Sequence, residues 1–176
     1  VTREVAIIGL GGGMADAPLY MERWGLPWSG DSSYDRYFEV HAPDVRPYTD
    51  QYRKKLSELE VPVVMQTVME GVPNSEAFPQ EAVDMVGGYL ESSISYILAY
   101  AIHDGVEAIH IYGVGAPFDS HYVQQRSNLE YLIGFARARG VQVEVHEDSE
   151  LLQSYWPAGR YGFDKANLRP GTEYVT

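Results

Sequence analysis

Residues 5–8 are four consecutive apolar positions rich in β-branched side chains, and they run straight into Gly9, Gly11, Gly12 and Gly13. That is the pattern of a strand buried on both faces and ending in a conformationally permissive loop. Residues 36–42 alternate instead, with Tyr37, Glu39 and His41 on one side and Phe38 and Val40 on the other, which predicts a strand with one polar face. Thr49 or Asp50 is placed to cap a helix reaching about residue 59, and VPVVMQ at 61–66 predicts a third strand. The stretch 70–80, with Pro73 and Pro79, reads as a loop.

Over residues 80–103, Val83, Val86, Leu90, Ile94, Ile97, Leu98 and Ala101 recur at steps of three and four, so the segment is expected to be helical, with Gly87 and Gly88 positioned to break it in two. A turn at Gly105 and a buried strand over 108–114 follow. A long helix is expected at 120–139 with Tyr122, Leu129, Leu132, Ile133 and Ala136 inward, closed by Gly140, and then a strand at 141–145. Strand–helix alternation of this kind predicts a single Rossmann-like α/β domain over residues 1–154, with a mainly parallel sheet and helices on both faces. The segment 155–176 has Gly and Pro throughout and no period. It is expected to be a tail that packs on the domain or on a neighbouring subunit, or frays.

Composition narrows the function classes. A length of 176 residues fits about one domain, and 45% hydrophobic with 22% charged residues is the balance of a folded globular chain. Thirteen Lys and Arg against 25 Asp and Glu leave a net charge of −12, a field that repels phosphate backbones and anionic headgroups. Direct binding of duplex nucleic acid is therefore not expected, nor is a membrane partner, since no segment approaches the ~20 apolar residues of a spanning helix. The absence of cysteine removes thiolate metal sites, iron–sulfur clusters and cysteine nucleophiles. No secretory leader is legible at residues 1–13, and a soluble, cytoplasmic protein is the expectation.

Four constellations carry candidate chemistry. The loop at Gly9, Gly11, Gly12 and Gly13 departs from G-x-G-x-x-G at Met14 and lacks the Lys-Ser/Thr of a Walker loop. It is of the kind that cradles a phosphate with backbone N–H groups, or else it simply turns the chain tightly. Glu39 and His41 put a carboxylate beside an imidazole near a strand end, the makings of a general acid–base pair. Ser92 and Ser93 lack a G-x-S-x-G elbow and are expected to hydrogen-bond locally rather than attack a substrate. Around the strand end at Tyr112 and Gly113, the next helix carries His121, Gln125 and Arg126. Arg126 is the best anion ligand, although Glu130 stands four residues on as its ion-pair partner. Trp24, Trp28 and Trp156 are candidates for pocket walls or a subunit contact. The histidines and acids fall into no tight ligand spacing, so no built-in metal is expected. No cofactor is specified by the sequence either; Mg²⁺ would enter with a nucleotide ligand.

The runs DRYFEVH, SSISYILAYAIHDGVEAIHIYGVG and HYVQQRSNLEYLIGFARARGVQVEV resemble a group of small bacteriophage and prophage proteins of unsettled function, over most of residues 5–163. The shared marks are the glycine-rich first loop, the segment Trp24-Gly25-Leu26, the YGV strand end, the positions Gln125, Arg126, Glu130 and Tyr131, and the closing Tyr161–Phe163 element. Gly115 stands where that pattern has an acid and His121 where it has a glutamate. More distantly, the loop and the YGV strand end are similar to Rossmann-like proteins that handle nucleotide-activated groups, including some glycosyltransferases and pyrophosphokinases, a likeness of fold rather than chemistry. The resemblance implies a protein of the bacterial host's cytoplasm that binds a nucleotide or nucleotide sugar, and a transferase in nucleotide or DNA-base modification; a homo-oligomer is expected from the tryptophans as subunit contacts. The alternatives are a non-catalytic protein that sequesters a nucleotide and an interaction protein. The pocket is expected between the glycine loop, the Glu39–His41 strand and the Arg126 helix, with Glu39 and His41 catalytic and Gly9, Gly11, Gly12, Gly13, Trp24, Tyr112, Gly113, His121, Gln125 and Arg126 binding substrate.

Overall fold

A computed structural model describes residues 2–11, 13–28, 33–42, 48–115 and 122–153. The apolar run after the N-terminus forms β1 (Glu4–Ile8), with Val5, Ala6, Ile7 and Ile8 all fully buried. Such a strand has to be covered on both sides, and it lies within a seven-stranded sheet. The others are β2 (Glu22–Gly25), β3 (Arg36–Glu39), β4 (Val63–Met65), β5 (Ser75–Ala77), β6 (Ala108–Tyr112) and β7 (Gln142–Val145). Their order is β5-β4-β3-β2-β1-β6-β7, and every adjacent pair is parallel. Among the described residues four α-helices join them: α1 (Asp50–Ser57), α2 (Gln80–Met85), α3 (Ser93–His103) and α4 (Val123–Ala138). The expected Rossmann-like α/β domain is what the chain forms.

Local chemistry explains the helix ends. Thr49 caps α1 by accepting from the Tyr52 amide. Ser92 and Ser95 form a capping box at the start of α3, the local hydrogen bonding expected of this cluster. Gly87 and Gly88, both at positive φ, separate α2 from α3, and Gly140 at φ 87° closes α4. One face of the sheet, with Val5, Ile7, Phe38, Val64, Ile109 and Ile111, packs against the apolar sides of α3 and α4. The opposite face, with Ala6, Ile8, Tyr37, Val63 and Met65, is covered by Leu56 of α1 together with Tyr34 and Tyr48.

Four details differ from the sequence expectations. β2 lies where Trp24 is expected as a pocket wall; tertiary packing makes a central strand of a segment whose Gly and Pro mask it. A short edge strand, β5, interrupts the stretch 70–80 expected to be loop. The face of β3 expected to be polar is buried, with Tyr37 2% and Glu39 0% exposed. Tyr122 precedes the first turn of α4 and is exposed, whereas Leu129, Leu132, Ile133 and Ala136 are inward as expected. The tail expected at 155–176 lies outside the described residues, as do Gly12, His121 and Trp156. Among the described residues no helix is long and apolar enough to cross a membrane.

Candidate active site

Because every strand runs the same way, all seven carboxyl ends lie along one edge. The chain leaves β1 towards β2 and returns, after β5, α2 and α3, to β6 on the other side of β1. That reversal is the switch point at which open α/β sheets form a ligand crevice. The glycine loop stands at the crevice, but two of its amides are already used: Gly9 N–H donates to the Tyr112 carbonyl at 2.8 Å and Gly11 N–H to the Gly113 carbonyl at 2.6 Å. The glycines are needed for this closeness. A Cβ on Gly9 would lie 2.4 Å from the Gly113 carbonyl oxygen, and one on Gly113 would lie 2.9 Å from Met14 Cβ. The tight-turn alternative thus accounts for Gly9 and Gly11, whose amides sew the β1 loop to β6. Gly13, at φ 75°, begins the short 3₁₀ turn Met14–Asp16.

At the end of β3 the structure brings Glu39 and His41 together as an ordered pair. Glu39 is fully buried, so its carboxylate must be satisfied by protein donors. The His41 Nδ1 lies 2.8 Å from Oε1, and the His41 amide donates to the same oxygen at 3.3 Å. The Tyr52 hydroxyl, brought in by α1, donates to Oε2. Tyr48 stacks on Tyr52 and donates to the His41 carbonyl at 2.6 Å, which fixes the backbone of the pair. The Trp28 ring stands 5.4 Å from the imidazole, and the His41 side chain remains 31% exposed. With Nδ1 held by a carboxylate, the ring orientation is set and Nε2 is the nitrogen available to a substrate proton, the arrangement a general base needs. An open hollow of about 570 Å³ lined by Thr49, Gln51, Tyr52, Lys54, Lys55 and Glu58 shares only Tyr52 with this group. It is the outer side of α1, not a cleft.

The other expected residues are dispersed. Trp24 is fully buried, its ring packed on Phe38 and Tyr100 and its Nε1 donating to Glu22 at 2.8 Å, which leaves it no face for a ligand; among the described residues, Trp28 is the tryptophan beside His41. Arg126 is 4% exposed, with Nη2 2.9 Å from Glu130 Oε1 and donating to the Gln153 carbonyl at 3.0 Å. Glu130 Oε1 also accepts from the Leu152 amide at 2.8 Å. The ion-pair alternative describes Arg126: the pair ties α4 to the segment after β7. Gln125, one residue before it, is half-buried. Neighbouring strands are about 4.8 Å apart, so Glu39 on β3, with β2 intervening, stands roughly 10 Å from the glycine loop.

The crevice holds a further group that sequence reasoning misses. Asp16, His146 and Asp148 offer ligand atoms that all lie within 4.8 Å of one another. His146 Nε2 is 3.7 Å from Asp16 Oδ2, and Nδ1 is 3.9 Å from Asp148 Oδ2. The His146 ring lies 5.2 Å from that of Tyr112, whose phenol is pushed above its usual range by burial and then by Tyr20, Glu144 and Asp16. Asp16 belongs to the first loop and His146 to the end of β7, so no local spacing could reveal them. The available signal is the run His146-Glu147-Asp148 directly after a strand.

No protein-family model and no curated protein sequence matches the chain. Its fold is similar to that of the sialyltransferase CstII from Campylobacter jejuni in two solved structures. One is a complex with the substrate analogue cytidine-5'-monophosphate, with a TM-score of 0.50 and 13% identity over 82% of this chain and 79% of that one. The other, with CMP-3FNeuAc, has a TM-score of 0.53 and 12% identity over 82% of this chain and 81% of that one. At this identity the likeness is one of fold, and it bears out the distant similarity to Rossmann-like transferases that use nucleotide-activated groups.

Proposed function

We propose that the chain binds a nucleotide-activated sugar along the carboxyl edge of its sheet and transfers the glycosyl group, with His41 as general base. The observation that carries this reading is the Glu39–His41 pair: a buried carboxylate, held by Tyr52, orients an imidazole at the edge where this class of fold takes its ligands. In the transfer, His41 Nε2 takes the proton of an acceptor hydroxyl as its oxygen bonds to the anomeric carbon. The bond from that carbon to the donor phosphate breaks, and the phosphate leaves with the electron pair. Glu39 stabilises the imidazolium so formed, by the logic that pairs a carboxylate with a catalytic histidine. Tyr112, Gly113 and Gly13 border the crevice on the donor side, and Trp28 flanks the acceptor side. The two fold neighbours were solved with a nucleotide and a nucleotide-sugar analogue, which makes that ligand class the first to try. In the phage setting that the sequence resemblance implies, the acceptor is a nucleotide, or a modified base that carries a hydroxyl, in the host cytoplasm, and free nucleotides need no basic face on an acidic chain.

The test begins with melting temperatures in the presence of CMP, CMP-sugars and UDP-sugars, with and without Mg²⁺. A ligand at 100 times its dissociation constant stabilises by about 2.7 kcal/mol. Nucleotide release is then followed for the protein and for His41→Gln. The expectation is about a 10²- to 10⁴-fold loss of turnover with the fold kept and the melting temperature lowered by only about 2–4 °C, the cost of one hydrogen bond to the buried carboxylate. Equal release by both proteins removes His41 as base, and tight binding without release makes the chain a sequestering protein instead.

A further inference from the structure

We infer that Asp16, His146 and Asp148 form a divalent-cation site in the crevice between β1, β6 and β7. The cluster is one imidazole with two carboxylates, drawn from segments 130 residues apart in the chain and converging within 4.8 Å. Ligand atoms about 2.1 Å from a common ion stand roughly 3–4 Å apart. With one ring nitrogen as ligand, the three donor atoms already lie within 4.8 Å of one another, so closing them around an ion takes shifts of about an ångström, and both aspartates are exposed and able to make them. The Asp148 amide donates to His146 Nδ1 at 3.3 Å, a long contact for such a bond, and an ion at Nδ1 replaces it. Gly13 supports the arrangement sterically: a Cβ there would lie 2.6 Å from His146 Nδ1 and 3.4 Å from Asp148 Oδ2. One nitrogen and two oxygens, with the remaining positions open, suit Mn²⁺ or Zn²⁺.

The site answers a problem of charge. An anionic ligand at this edge meets a chain of net charge −12, glycine amides at 9 and 11 committed to β6, and an Arg126 paired with Glu130. A bound cation supplies positive charge at the crevice, with open positions for ligand oxygens. The inference is independent of the transferase reading, because the ion alone is the probe. Mn²⁺ is titrated into the full chain by calorimetry, with free Mn²⁺ followed by electron paramagnetic resonance and Zn²⁺ added as competitor. The expected result is one saturable ion per chain, with affinity falling about tenfold or more in Asp16→Asn and in Asp148→Asn and unchanged in Glu81→Gln, an exposed acid on α2. Absence of saturable binding, or weak binding equal in all four proteins, overturns the site. The aspartates lie at the surface, so loss of fold, checked by circular dichroism, is not expected to cloud the comparison.

Discussion

At the end of β3, Glu39 is buried and both its oxygens accept hydrogen bonds from groups within thirteen residues of it. At the end of β7, His146 faces two exposed aspartates at 3.7 and 3.9 Å, one of them from the far end of the chain. The first cluster is closed: its partners are in place and removing one strands the others. The second is open, with ligand atoms near one another but beyond hydrogen-bond reach of the ring. Closed and open polar clusters at one sheet edge imply different work. A preformed base must be held in one orientation before substrate arrives, whereas a cation site can complete itself on binding.

The difference is testable first through stability. Glu39→Ala removes the buried acceptor shared by Tyr52, the His41 ring and the His41 amide, for an expected loss of about 3 kcal/mol. Asp148→Asn changes an exposed group and is expected to stay within about 0.5 kcal/mol of the parent. Denaturation midpoints with equal slopes for both variants measure this. Equal losses would mean that the two clusters are not built differently.

The glycines sharpen the same contrast. Ala at position 9 places a Cβ 2.4 Å from a backbone oxygen of β6's end, where neither partner can turn aside, and an expected cost of about 2–3 kcal/mol follows. Ala at position 13 sits at φ 75°, costing about 1 kcal/mol, and its close neighbour is the His146 ring, a side chain that can rotate away. Gly13→Ala is therefore expected to keep the fold and lose Mn²⁺ binding, while Gly9→Ala loses stability first. Thermal melts and the Mn²⁺ titration, run on both variants, separate the two effects.

How far each cluster is legible in the sequence follows from the same geometry. Glu39 ends β3 and His41 stands two residues on, so extended alternation places them on one side, and the apolar run of β1 with the largely apolar β6 is itself the mark of a parallel sheet covered on both faces. The burial of Glu39 is not legible, because it depends on α1 and Tyr52 covering that face. Trp24 misleads for a related reason: beside Gly25 and Pro27 it reads as a candidate pocket wall, and only its pairing between β1 and β3 makes it core. The Asp16–His146–Asp148 group depends on β7 joining the sheet two strands from β1, a tertiary fact without a sequence period.

The smallest expected effect concerns one tyrosine from each cluster. Tyr52→Phe removes the donor to Glu39 and is expected to cost about 1 kcal/mol at neutral pH. Tyr112 differs: its phenol is pushed up mainly by burial, with Tyr20, Glu144 and Asp16 adding to the shift. The fold thus favours the neutral phenol, while the unfolded chain ionises it near its ordinary value of about 10. The contribution is present in full below that pH and is lost as the pH rises through the higher value of the folded state. Tyr112→Phe is therefore expected to leave the melting temperature at neutral pH nearly unchanged and to soften its fall on the alkaline side, a limb to which Tyr100, also raised by burial, contributes in both proteins. Melting temperatures of the parent and both variants across the neutral and alkaline range decide it. If Tyr112→Phe matches Tyr52→Phe at neutral pH, the Tyr112 hydroxyl is held as firmly as that of Tyr52, and the crevice is as closed as the β3 cluster.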